Sequence, residues 1–200
     1  LDEGIDFVLL PNSCKKGTGH GKENCTYQRR HLGNRPGFRP LVARAGMNVV
    51  INGRNEERGL QALHEVEPFG NVMYVKGDVT AEDDCQRMVE AAVSTFGNLT
   101  GVVTSAGYYR QELLENENSE EIRRIFEVNV FGTVLLCRAA YGALKKQGGS
   151  IVIISSDAGL QGNAACSIYG ATKGAVTAFA KSLALEGATH KNSCECPLSR

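Results

Sequence analysis

Apolar and polar positions fall into short blocks along most of this chain. Met47–Asn52 (MNVVIN), Asn71–Lys76 (NVMYVK), Leu99–Val103 (LTGVV) and Ile151–Ile154 (IVII) are brief apolar runs, largely β-branched. Runs of that length read as buried strands of a sheet. Between them the period changes to that of a helix. Asn55–Val66 is a charged amphipathic helix that Pro68 and Gly70 bring to an end. In the next block Cys85, Met88, Val89, Ala92, Val93 and Phe96 form a buried face, with Thr80 and Asp83 as a variant capping box and Gly97 as the stop. A longer helix opens at Asn118, with Glu121 completing its cap, and carries Ile122, Ile125, Phe126, Val130 and Thr133 on one face up to Gly148-Gly149. The last helix holds Tyr169 and runs through Glu186. Strands alternating with helices predict a doubly wound α/β fold around a parallel sheet.

The two ends do not share this pattern. Residues 1–40 have no sustained period and are punctuated by basic residues, glycine and proline, so they read as a disordered leader. Leu41–Gly46 (LVARAG) then looks like the end of an amphipathic helix. Residues 188–200 read as a tail with no strand. Four of the seven cysteines (Cys14, Cys25, Cys194, Cys196) lie in these ends, which differ in composition from the patterned body. Cys194, Cys196 and His190 stand near one another but lack the second ligand pair that a zinc site needs. With 22 basic and 22 acidic residues in 200, nothing points to nucleic acid or an anionic membrane. No apolar run in the sequence suggests a membrane span, and the acidic start is no signal peptide. Two hundred residues suffice for one α/β core.

Chemistry concentrates in Ser150–Lys173 (SIVIISSDAGLQGNAACSIYGATK). The strand ends in Ser155-Ser156, and Tyr169 and Lys173 follow, one helical turn apart on the same face. A phenol has a pKa near 10 and is a poor acid or base at neutral pH. A cation one turn away favours the phenolate, and a serine hydroxyl can hold a substrate oxygen. Ser156, Tyr169 and Lys173 can therefore handle the proton that accompanies carbonyl reduction. Against this stands chance, because Tyr and Lys four apart occur in many helices.

The order of strand, serine pair, glycine-bearing loop and YGATK helix resembles the short-chain dehydrogenase/reductase family. The resemblance covers residues 41–187 and implies a Rossmann-like domain that is incomplete, since the first strand with its glycine turn and the part after the Tyr169 helix are missing or scrambled. It implies catalytic roles for Ser156, Tyr169, Lys173 and Asn129. Asn129, in Val128-Asn129-Val130, would hold a water that links Lys173 to solvent; the alternative is a buried amide bonding backbone carbonyls. The same resemblance gives Asp78 and Val79 as adenine contacts, although Asp78 can equally shape a turn. Ala106 and Gly107 would let the backbone pass close to the cofactor, with Thr104 and Ser105 standing where the family has two asparagines. Leu160, Gln161 and Cys166 are candidate substrate contacts. Gly53 stands where an NAD-specific fold has an acid, and Arg54 follows it, which favours NADP(H) over NAD(H); a solvated arginine is the plain alternative.

Codons of residues 20–40 read one nucleotide later are compatible with an apolar strand and a Gly-Gly-Thr-Ser-Gly-Ile-Gly turn. The same shift from Asn192 into Arg200 is compatible with Ile-Arg-Val-Asn-Ala-Leu-Ser-Pro. Both ends therefore read as out of frame. Two functions follow from different classes. One is an NADP(H)-dependent oxidoreductase moving a hydride between nicotinamide and a small carbonyl or alcohol. The other is a non-catalytic remnant unable to bind cofactor, and a retained fold used as a binding module ranks third. A homo-oligomer and a cytoplasmic location are expected, without nucleic-acid or membrane partners.

Overall fold

In a computed structural model, residues 6–11, 38–190 and 192–199 can be described. Strand β1 is Asp6–Pro11; helix α1 Phe38–Arg44 leads to β2 (Met47–Gly53), α2 (Glu56–Val66) and β3 (Val72–Lys76). Next come α3 (Glu82–Phe96), β4 (Gly101–Thr104), α4 (Ser119–Phe126) and α5 (Thr133–Gln147). Then follow β5 (Ser150–Ile153), the two-residue β6 (Ser155–Ser156), α6 (Ser167–Ala188), β7 (Ser193–Glu195) and β8 (Leu198–Ser199). The main sheet has the order β3-β2-β1-β4-β5-β7.

The β-branched runs fill both faces of this sheet. Val50, Val102, Ile151 and Ile153 face α3, α5 and α6, packing on Met88, Leu136, Leu144 and Val176. Val49, Ile51 and Val103 face the other way, against Ala43, Ala62 and Val66 of α1 and α2. Helices on both faces of an α/β sheet are the doubly wound arrangement the pattern predicts.

Three expectations are corrected. The leader is not without structure throughout: Asp6–Pro11 occupies the centre of the sheet, antiparallel to both neighbours, with Leu9 opposite Val49 on one side and Gly101 on the other. The gap expected from a missing first strand is thus filled. The cause is hydrogen bonding, because β2 and β4 are buried strands whose inner N–H and C=O groups need partners, and an apolar run of either direction supplies them. Pro11 sits at the end of β1, where a missing N–H costs least. The resemblance places the first strand and glycine turn within residues 24–40; of these, 24–37 lie outside those described and 38–40 are the start of α1.

The tail also forms strands. β7 pairs in parallel with β5, Ser150 opposite Ser193, and β8 pairs with β6. Backbone pairing on an open sheet edge, rather than any apolar period, draws this segment in. Finally, the helix after β3 starts one residue later than expected, with Ala81 as its cap residue and no side-chain bond there. Thr80 instead gives both its N–H and its hydroxyl to Asp78 Oδ1, at 2.9 and 2.8 Å. The turn-shaping alternative for Asp78 is therefore real.

Asn118 caps α4 as expected, its Oδ1 accepting from the Glu121 N–H at 2.9 Å. The long helix is not uniform. Between α4 and α5, Glu127–Gly132 opens into a wider π turn that contains Asn129. By length and composition, Ser119–Lys146 could cross a membrane. Here Leu136, Ala140 and Leu144 from that stretch are fully buried in the core.

Candidate active site

The parallel strands all end on one edge of the sheet, and the candidate residues follow those ends: Arg54 after β2, Asp78 and Val79 after β3, Ala106 and Gly107 after β4, and Ser156 after β5. In doubly wound folds, ligands bind along this edge where the strand order reverses.

The two serines of β6 are used differently. Ser155 is fully buried, bonded to the Lys173 carbonyl at 3.0 Å and to Thr177 Oγ1 at 2.7 Å, which ties β6 to α6. Ser156 Oγ accepts from the Ala158 N–H at 3.3 Å and donates to Asp157 Oδ1 at 3.1 Å. Gly159 in the following turn lies against α6: a Cβ there would stand 2.6 Å from the Lys173 carbonyl carbon, so only glycine allows this approach. Lys173 is 94% buried by its own exposure of 6%, and its Nζ donates to the Ile154 carbonyl at 2.8 Å. The same ammonium lies 5.8 Å from the centroid of the Tyr169 ring. Ser156, Tyr169 and Lys173 are thereby gathered at the end of β5.

Asn129 is almost fully buried, and the wide turn aims its amide at the loop after β4. Its Oδ1 accepts from the Tyr108 N–H at 2.6 Å, and its Nδ2 donates to the Tyr108 carbonyl at 3.0 Å and to Thr172 Oγ1 at 3.1 Å. The backbone-bonding alternative for Asn129 is what these contacts describe. Gly107 locates it relative to the lysine: a Cβ on Gly107 would have Asn129 Oδ1 at 3.5 Å and Lys173 Nζ at 3.9 Å. Tyr108 is buried as well, and its hydroxyl donates to Glu121 Oε2 at 2.7 Å. That bond to a carboxylate, with burial, holds the Tyr108 phenol above its ordinary pKa.

At the other end of the edge, Arg54 and Asp78 are brought together, Nη1 to Oδ2 at 3.2 Å. Burial pushes the Asp78 carboxyl upward, but the two Thr80 bonds and Arg54 outweigh it, and the pKa lies below the ordinary value. Val79 is buried against Gly132 of the wide turn. Leu160 is exposed, Gln161 bonds Asp157 Oδ2 at 3.4 Å, and Cys166 is buried.

Tyr108 and Tyr109 also belong to this site and lie on an irregular loop, with no helical or strand period that would reveal them. The one available signal is a pair of tyrosines immediately after Ala106-Gly107. Among the described residues, no group of three or more His, Cys, Asp or Glu could hold a metal ion.

Comparison with known proteins shows the family and the fold. The model of the short chain dehydrogenase family matches residues 40–196, and the chain belongs to that family. It is 41% identical to an L-fucose dehydrogenase of Mus musculus over 153 residues, covering 76% of this chain and 55% of that protein. It is 37% identical to carbonyl reductase family member 4 of Xenopus laevis, covering 73% and 61%. To a 3-oxoacyl-[acyl-carrier-protein] reductase of Bos taurus the identity is 35%, covering 76% and 63%. The chain thus spans roughly three fifths of the length of these relatives. A crystal structure of NAD+-bound xylitol dehydrogenase superposes with a TM-score of 0.77 at 24% identity, over 79% of this chain and 62% of that one, and shows the same fold.

A nicotinamide dinucleotide fits this edge at the end of β4. Thr104 Oγ1, at the end of β4, is buried without a hydrogen-bond partner, and Gly107 beside it leaves the backbone open next to Lys173. The middle is different. β1 runs against its neighbours, so its first residue, Asp6 opposite Asn52, stands at this edge. Among the described residues, no strand-to-helix glycine turn rises from the centre of the sheet to hold a diphosphate.

Proposed function

We propose that this chain is an NADP(H)-dependent oxidoreductase that moves a hydride between nicotinamide and the carbon of a carbonyl or alcohol. The observation that carries the reading is the buried Lys173 ammonium, fixed on the Ile154 carbonyl, two residues before Ser156, and one turn from Tyr169. Relatives named as a dehydrogenase and as reductases support an oxygen-bearing carbon as the reacting centre. Bound nicotinamide would supply or accept the hydride. Ser156 Oγ holds the substrate oxygen, and Tyr169 Oη gives it a proton in reduction or takes one in oxidation. Lys173 stabilises negative charge on the Tyr169 oxygen and holds the nicotinamide ribose. Asn129, next to Lys173 across Gly107, serves the relay of the replacement proton through a water. Ala106 and Gly107 let the cofactor lie close. Arg54 meets a 2′-phosphate while Asp78 and Val79 take the adenine. A homo-oligomer, supported by Leu185 exposed on the alanine-rich α6, and a cytoplasmic setting belong to the same proposal.

The reversed β1 favours a second reading, in which the site is assembled but dinucleotide binding fails. One experiment separates the two. In the first reading the chain binds NADPH, seen as enhanced cofactor fluorescence, and reduces a reactive diketone. Tyr169→Phe then lowers that rate by about 10²–10⁴-fold with an unchanged melting temperature. Full turnover by Tyr169→Phe removes the tyrosine from its role, and absence of NADPH binding by the parent chain selects the second reading.

A further inference from the structure

We infer that Tyr109 is a positioning residue for Tyr169, and that the segment Tyr109–Glu112 is a strap fixing the loop in front of α6. The inference rests on the oxidoreductase reading of Tyr169 given above. Three contacts carry it. The Tyr109 and Tyr169 rings meet edge to face, centroids 4.8 Å apart at 88°. The Tyr109 hydroxyl lies 3.8 Å from Cys166 Sγ and donates to Gln111 Oε1 at 3.3 Å, which leaves the buried thiol as donor to the phenol oxygen. The Glu112 N–H donates to the Ala165 carbonyl at 2.7 Å.

Ala165 shows that this contact constrains the loop. Its φ is +57°, the left-handed region that a residue with a Cβ occupies only when its surroundings hold it there. Cys166 follows immediately, and Tyr169 is on the first turn of the helix that begins at Ser167. The strap therefore grips the chain on the N-terminal side of the catalytic phenol, and the Tyr109 ring rests on the phenol's own ring. The Tyr109 side chain is half exposed, its hydroxyl tethered to Gln111 and its ring edge to face with Tyr169. An edge-to-face pair of this kind is worth up to about a tenfold change in an equilibrium or rate.

The test compares Tyr109→Ala and Tyr109→Phe with the parent chain, using NADPH and a diketone. Absorbance of phenolate is also followed against pH, differenced against Tyr169→Phe in each background. Tyr109→Ala should lower kcat about tenfold with a smaller change in KM, and should move both the pH profile of kcat and the Tyr169 titration. Tyr109→Phe keeps the ring and should recover kcat to within about twofold. A Tyr109→Ala chain with the parent kcat and Tyr169 titration overturns the inference, and so does a Tyr109→Phe chain as impaired as Tyr109→Ala. Should the parent chain show no turnover, the oxidoreductase reading fails while the difference titration still decides this one: a shifted Tyr169 titration in Tyr109→Ala supports it, and a coincident one overturns it.

Discussion

The end of β5 and the centre of the sheet solve different problems. Between Ser150 and Ala188 several residues are tied to a local need. Ser155 joins strand to helix, Gly159 allows their approach, and the one-turn spacing brings Lys173 beneath Tyr169. At the centre, β1 meets a demand that is general: two buried strands need backbone partners. An apolar segment running either way satisfies it, and here it runs the opposite way to its neighbours. The lesson is that a sheet position can be filled without the chemistry that the position usually brings. A parallel strand there would end in a turn at the ligand edge, whereas β1 begins there.

The comparison can be tested at both regions. Its largest expected effect is at the ligand edge. Arg54→Ala should weaken NADPH binding by about ten- to a hundredfold, the worth of a charge-assisted hydrogen bond of about 1.5–3 kcal/mol, and leave NADH almost unchanged. Equal effects on both cofactors would reject Arg54 as the phosphate reader. Leu9→Pro removes one ladder N–H at the centre of the sheet and should cost about 1–3 kcal/mol in urea unfolding. An unchanged midpoint would mean that β1 does not bridge Val49 and Gly101.

A smaller effect concerns pH. The folded Asp78 carboxyl sits below its ordinary pKa, so its contribution is full above the unfolded value and is lost as pH falls through the lower folded one. Parent chain and Asp78→Asn should therefore differ in melting temperature at neutral pH and converge in acid below the carboxylate range. A constant difference would show that the Thr80 and Arg54 contacts do not favour the charged form. The smallest effect reads the docking of β7. Burial, then the neighbouring Cys196 and Glu195, pushes the Cys194 thiol up to about 11. Iodoacetamide at pH 8 should accordingly modify Cys194 slowly. Labelling at the rate of an unfolded-chain thiol would mean that β7 is not held on β5.

Sequence made legible those parts in which period and function coincide. Strands β2 to β5 follow from apolar runs, the Asn118 cap from its residue type, and the place of Tyr169 and Lys173 one turn apart on one helix from their spacing. What escaped has a physical reason in each case. Alternation along a strand looks the same in both directions, so neither the docking nor the sense of Asp6–Pro11 could be read from FVLL. β7 and β8 form by backbone pairing on an existing edge and show no apolar pattern of their own. The wide turn at Glu127–Gly132 differs from a regular helix by one hydrogen-bond register, which a hydrophobic period does not record. Tyr109 sits on an irregular loop, where spacing carries no direction. Asp78 and Arg54 were singled out one by one, yet their pairing depends on how the ends of β2 and β3 meet.

The central strand also bears on cooperativity. Its hydrogen bonds join two half-sheets, β2 with β3 and β4 with β5 and β7, which among the described residues pair with each other through it alone. β1 is the first of these strands to be synthesised, but its second partner, opposite Leu9 at Gly101, follows most of a hundred residues later. Closing so long a loop is slow relative to forming the neighbouring helices and strands. The helices and shared apolar cores would then gather the two halves first, and arrival of β1 would close the sheet between them and make them melt in a single step.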